Sequence, residues 1–211
     1  MTLFAAILPR MSAATTAAGS ARSLSALLRS GAPSREMTHH LDGLSAAARL
    51  DEVLAITGSA VGKLYAAVAD APSITPEEFV PPSTQGTLIY EGRNSLPAFS
   101  RFQKRFHRLE SGIVVGYNHQ AMSFVTGPGY FVLKAANGEG AHGKEMFFDY
   151  TVPAPETPAG WPEFKSNERG LSKLVYSGMI DYVRRVARGV VVGKAYVKGV
   201  DQKAYFTLTL P

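Results

Sequence analysis

Residues 172–197 read SKLVYSGMIDYVRRVARGVVVGKAYV, and the way they divide decides the fold. Val175, Met179, Tyr182 and Val186 stand four, three and four apart, which is the spacing of one helix face. This predicts a helix from about Ser172 to Arg188, ended by Gly189. The run that follows, 190–197, is rich in β-branched residues and predicts a strand. Working outward, similar short apolar or aromatic runs bounded by Gly, Pro and Asn lie at 87–90, 113–117, 130–135, 146–152 and 205–210. They bring the expected strands to about six. Phe99, Phe102, Phe106 and Leu109 are again spaced three, four and three, with Arg101, Lys104, Arg105 and Arg108 largely opposite. A second helix is expected there, starting near Ser95 with Pro97 in its first turn.

Upstream, apolar residues from Leu44 to Leu54 and from Val61 to Val68 recur at helical spacings, with Gly58 between them and Ser59 placed to cap the second helix. Thr75-Pro-Glu-Glu78 reads as a cap, a proline at the first helical position and acids in the first turn. Several of the strand connections look short and no strand is followed by a regular crossover helix, so the sheet is expected to be antiparallel. The fold class is therefore α+β: N-terminal helices, then a curved, mostly antiparallel sheet of about six strands with two packed helices. The sheet is either an open cup or a closed barrel, and in both forms could hold a small molecule.

Residues 1–35 contain nine Ser or Thr, nine Ala, four Arg and no acid. That is the composition of a mitochondrial or plastid transit peptide, and equally of translated sequence upstream of a later start at Met11 or Met37. The expected organisation is an unfolded extension over 1–40, a helical segment over 41–82 and the sheet and helix core over 83–211. Cytoplasmic location is expected, or mitochondrial or plastid location if the extension is a transit peptide.

The chain carries a net charge of +5, but four of those charges are Arg10, Arg22, Arg29 and Arg35, all before the first acid, Glu36. The remainder is nearly neutral, which argues against a nucleic-acid partner. No apolar run approaches the eighteen or so residues of a membrane span. With no cysteine, disulfides, thiolate nucleophiles and Cys-ligated zinc are all excluded.

Gly58-Ser-Ala-Val-Gly-Lys63 falls short of a phosphate-binding loop, having three residues between its glycines and Leu64 after the lysine. Thr126-Gly-Pro-Gly-Tyr130 reads as a tight turn. His107, His119, His142 and Asp149 lack ligand-pair spacing, so no metal and no cofactor is expected. Asp181 with Arg184 and Arg185 reads as a set of surface ion pairs, and Tyr176 and Tyr182 as core.

The polar group with most chemical potential is Gly116-Tyr-Asn-His-Gln120, at the end of an apolar strand. Tyr117 and His119 can hydrogen-bond or exchange protons, and Asn118 can orient a ligand. Arg105 and Arg184 are the cations that could turn inward to an anionic group.

Val175-Tyr-Ser-Gly-Met-Ile-Asp-Tyr-Val-Arg-Arg185, with Gly193-Lys-Ala and Tyr205-Phe-Thr-Leu, resembles the closing segment of lipocalin-like (calycin-like) barrel proteins, where a helix leads into the last strand pair. Together with Gly116-Tyr-Asn118 and Thr126-Gly-Pro-Gly-Tyr-Phe131, it also resembles a family of bacterial proteins with no assigned activity. The likeness covers about residues 86–211. The lipocalin signature Gly-x-Trp is absent: the sole tryptophan, Trp161, follows Gly160 directly in a proline-rich loop. What the resemblance implies is a barrel, with no residue roles attached.

Three functions are weighed from these features. The first is binding of a small apolar or amphipathic ligand within the curved sheet, using Tyr117, Asn118, His119, Arg105 and Arg184. A second is a small-molecule enzyme with His119 as general base and Tyr117 or Asn118 polarising a substrate oxygen. The third is an interaction module presenting the 101–108 face.

Overall fold

The computed structural model describes residues 22–98, 100–120 and 127–211. Eight strands follow one another: β1 (Leu88–Asn94), β2 (Arg101–Arg108), β3 (Val114–His119), β4 (Tyr130–Lys134), β5 (Met146–Asp149), β6 (Met179–Ala187), β7 (Val190–Val197) and β8 (Val200–Thr209). Each pairs antiparallel with the next, and β8 returns to β1 through pairs such as Glu91↔Thr209 and Asn94↔Phe206. The sheet is a closed up-and-down barrel, which leaves no unpaired edge.

Six of the strands coincide with the six expected from sequence. The other two correct it. Residues 101–108 are β2, not a helix, and Phe99 lies outside the described residues. The segment from Ser172 is helical only over Ser172–Tyr176, and Met179–Ala187 is β6. In β2 the inward residues are Phe102, Lys104 and Phe106; in β6 they are Met179, Asp181 and Val183. Each strand thus places an ionisable side chain on the face that alternation requires to be apolar, and the period of two is hidden.

An eight-stranded barrel is just wide enough inside to be filled by side chains or to hold one small ligand. This one divides the space. At the end formed by Leu88, Val114, Leu133 and Met146, the rings of Phe106, Phe131 and Phe148 lie 5.1–5.5 Å apart, a spacing that favours edge and tilted contacts. Gly116 makes room for this packing, since a Cβ there would collide with the Phe131 ring; Gly193 does the same for the ring of Phe206 farther along the barrel. A plug closes this end. α5 (Pro76–Phe79) starts with the expected box, Thr75 and Glu78 capping one another. It brings Phe79 into a stack with Tyr90 at 4.3 Å, and the Tyr90 hydroxyl donates to the Phe79 carbonyl at 2.9 Å. The Arg108 guanidinium donates to the carbonyls of Pro76 and Val80.

A second core lies outside the barrel. α1 (Leu24–Arg29), α2 (Ser34–Asp42), α3 (Ala46–Leu54) and α4 (Ser59–Ala67) bury Leu24, Met37, Leu41, Val53, Val61 and Leu64 against Val186, Val190 and Val192 on the outer face of β6 and β7. Gly58 separates α3 from α4 as expected, but Ser59 is the first residue of α4 and makes no cap bond.

α1 and α2 correct the expectation of an unfolded extension over 1–40. Ser23 caps α1, Glu52 accepts from the Leu24 amide at 2.6 Å, and Thr38 donates to the Val186 carbonyl at 2.6 Å. From residue 22 onward the segment belongs to the domain; the rest of the expected extension, 1–21, lies outside the described residues. Its alanine and serine content concealed a pair of helices whose few large apolar residues join the outer core, α1 against the other helices and α2 against β6. Among the described residues no helix is long and apolar enough to cross a membrane.

Candidate functional site

The opposite end of the barrel is built differently. Lys104 on β2 and Asn118 on β3 are cross-strand partners, both pointing inward. Asp181 on β6 faces them from across the barrel, and Tyr150, just past β5, leans in between. Asn167 fixes that last position by donating to the carbonyls of Tyr130 at 2.8 Å and Tyr150 at 2.9 Å.

The Lys104 ammonium donates to Asn118 Oδ1 at 2.8 Å, to Asp181 Oδ2 at 3.1 Å and to the Tyr150 hydroxyl. Three N–H groups meet three acceptors, which is the full capacity of a lysine. Tyr150 in turn receives Asn118 Nδ2 at 3.0 Å and donates to Asp181 Oδ2 at 3.2 Å. Aromatic rings surround the charge, with the centroids of Phe131, Phe148, Tyr150 and Phe206 4.8–5.2 Å from Nζ. Lys104 is 2 % exposed and Asp181 4 %. An unpaired charge at such depth costs several kcal/mol, so each of the two ions requires the other.

The same depth sets the protonation chemistry. Burial pushes the Lys104 ammonium below the ordinary lysine value, and the Asp181 carboxylate pulls it partly back. Burial, then the Asp181 charge, raises Tyr150 well above the ordinary phenol value, so it is a neutral donor.

Above this cluster lies a cavity of about 300 Å³. Lys104, Asn118, Tyr150 and Asp181 form its polar floor; Phe102, Met179 and Phe206 are among its apolar walls. α6 (Ser172–Tyr176) crosses one side, and its Tyr176 stacks parallel on Tyr150 at 5.5 Å and receives Gln120 Nε2 at 3.3 Å. Gly129, in the expected turn, has φ +59° and lies so close beneath the Tyr176 ring that a Cβ would collide with it. Thr126, the first residue of that turn motif, lies outside the described residues. Leu96 and Val175 carry the wall out to solvent, where the neighbouring Leu174 is 81 % exposed.

Of the five candidate ligand-binding residues Tyr117, Asn118, His119, Arg105 and Arg184, Asn118 alone lines this cavity. Tyr117 and His119 are one position either side of it and therefore point out of the barrel. Tyr117 is buried there beneath Trp161, at 4.7 Å, and receives Arg105 Nη1 at 3.2 Å. His119 is exposed at the strand end, its imidazole lowered by partial burial and by the Arg105 charge. The barrel wall stands between His119 and the cavity.

Arg184 is also external: it donates to Glu145 at 3.0 Å and to the Tyr65 carbonyl at 2.8 Å, and lies 4.0 Å above the Tyr65 ring, so it fastens α4 to the barrel. The ion pairs expected among Asp181, Arg184 and Arg185 do not form. Asp181 pairs with Lys104, Arg184 with Glu145, and Arg185 with Glu78. Nor is there one basic 101–108 face, because a strand sends Lys104 inward and Arg101 and Arg105 outward.

A second hollow, of about 410 Å³, lies outside the barrel beside Arg184 and Arg185. Its guanidinium groups are already engaged by Glu145 and Glu78, which leaves it without the convergent polar groups of the barrel cavity.

Lys104, Tyr150, Asp181 and Tyr176 were missed as site residues. The signal was present in Phe102-x-Lys104-x-Phe106 and Met179-x-Asp181-x-Val183, where a charge interrupts an alternating apolar run. Comparison with protein families, with curated proteins and with solved structures found no match to this chain. Function is therefore argued from the site's own chemistry.

Proposed function

We propose that the barrel binds a small amphipathic molecule at this end in the manner of a lipocalin-like carrier, its uncharged polar head on the Lys104–Asn118–Tyr150–Asp181 floor and its apolar part along Phe102, Met179 and Phe206. One observation carries the reading: a cavity of about 300 Å³ whose floor is a buried, hydrogen-bonded ion pair and whose walls are apolar. That volume is at the lower end of the range for small-molecule sites, which are typically apolar pockets with a few convergent polar groups.

The floor also selects the head group. Lys104 and Asp181 cancel, so a carboxylate ligand would confront the Asp181 charge in a poorly solvated space, whereas a hydroxyl or carbonyl can exchange hydrogen bonds with Asn118 and Tyr150 at no charge cost. Each ~100 Å² of tail removed from water contributes about 2.5 kcal/mol.

Saturation-transfer NMR with 1-octanol and with octanoate tests this. The alcohol is expected to bind and the carboxylate to bind at least tenfold more weakly. Ala195→Phe, which fills the cavity from β7, is expected to abolish the alcohol signal while the circular dichroism spectrum stays that of the parent. Absence of alcohol binding to the parent protein, or binding that persists in a folded Ala195→Phe variant, overturns the reading.

A further inference from the structure

We propose that Lys104 forms an imine with an aldehyde bound in the barrel cavity, Asp181 and Tyr150 handling the protons. The inference rests on the ligand-binding reading above and names the reactive class within it.

Imine formation needs an amine at the head of the bound molecule, a base to take its proton, an acid to protonate the departing oxygen, and little water. All four coincide at the floor of this cavity. Lys104 Nζ is 3.1 Å from Asp181 Oδ2. The Tyr150 hydroxyl touches both Nζ and that same carboxylate, the latter at 3.2 Å. Phe131, Phe148 and Phe206 exclude water from the remaining directions.

The ammonium passes one proton to Asp181, and the freed lone pair attacks the carbonyl carbon to form the C–N bond. A proton moves from nitrogen to oxygen by way of Tyr150, giving a neutral carbinolamine. Asp181 then returns its proton through Tyr150 to that hydroxyl, the C–O bond breaks, and water leaves as the nitrogen lone pair closes the C=N bond. The product is a protonated imine beside an ionised Asp181. One positive charge has replaced another in the same aromatic surround, so the buried ion pair survives the reaction intact. Burial also favours the first step, since it makes the neutral amine easier to reach than in an exposed lysine.

The test treats the full chain with octanal and sodium cyanoborohydride and locates the octyl-amine adduct by peptide mass spectrometry. Lys104 is expected to be modified at least tenfold faster than the exposed Lys63 and Lys173, and 1-octanol is expected to suppress modification at Lys104 alone. Tyr150→Phe keeps the amine and is expected to slow its modification at least tenfold; labelling at the parental rate would remove Tyr150 from the chemistry. If surface lysines are labelled and Lys104 is not, while 1-octanol still binds the parent protein, the imine proposal is overturned and the binding reading stands. If 1-octanol does not bind either, both fall.

Discussion

The two ends of the barrel use the same eight strands to opposite purposes. At the plugged end, Phe79 enters between Tyr90 and Phe106, and the Tyr90 hydroxyl and the Arg108 guanidinium donate to backbone carbonyls of the plug. At the cavity end a lysine and an aspartate lie at comparable depth, held by hydrogen bonds and rings, with space left above them. The plugged end is close-packed apolar matter, which stabilises the barrel by burial. The cavity end is a polar network whose desolvation costs stability, and such sites are where local folding rules are commonly broken. The teaching is that closure and the proposed binding site are separated along the barrel axis, so they should respond to different substitutions.

Phe79→Ala should break the plugged end, costing about 4 kcal/mol by urea unfolding, the size expected for emptying a buried aromatic site. The affinity for 1-octanol should stay within twofold. Asp181→Asn should break the other end, costing about 3 kcal/mol at pH 7 because it leaves Lys104 without its counter-charge. The combined Lys104→Met, Asp181→Leu variant should recover most of that stability while losing the alcohol, since an apolar pair replaces an ionic one. Gly193→Ala should cost about 2 kcal/mol and weaken binding together, because the added methyl drives Phe206 toward the cavity.

The smallest effects are on pH dependence; at both ends stability rises with pH, but in windows at opposite extremes of the scale. Lys104 titrates below the free value of 10.5 in the folded chain. Between its folded value and 10.5 the unfolded chain therefore holds more protons, and stability from this group rises as pH climbs through that window. Asp181→Asn should widen the window downward. Glu78, beside the plug, is lowered from 4.5 by its bond to the Thr75 amide and then by Arg185. Its contribution is complete above 4.5 and is lost as pH falls through the folded value. Glu78→Gln should flatten that acid limb, at a cost below about 1 kcal/mol, with denaturant midpoints across pH as the measurement.

The sequence disclosed the fold wherever local pattern and tertiary environment agree. The six strands with apolar or aromatic interiors, the break at Gly58 and the Thr75 cap all follow from neighbours a few residues away. β2 and β6 did not show themselves, and the reason is the site itself. Lys104 and Asp181 are 77 residues apart in the chain, and only barrel closure makes each the other's partner. Read singly, each is a charge that spoils a strand. Asn118 was accessible because its strand is otherwise apolar, but its neighbours Tyr117 and His119 drew the same attention, and only the register decides which of the three faces inward. The helices at 24–42 were obscured for another reason: α2 packs on β6, far along the chain, and α1 on the other helices, so composition alone gave them nothing to pack against.

That last arrangement bears on how the chain is made. α1 to α4 leave the ribosome first, yet the strands they cover are among the last to be synthesised. At usual translation speeds the intervening stretch of roughly 110 residues takes on the order of ten seconds. For that interval the four short helices have only one another to pack against, without the β6 and β7 surface that completes their core, and barrel closure through β1 and β8 must also wait. The outer core of a newborn chain is thus completed only when its C-terminal hairpin emerges.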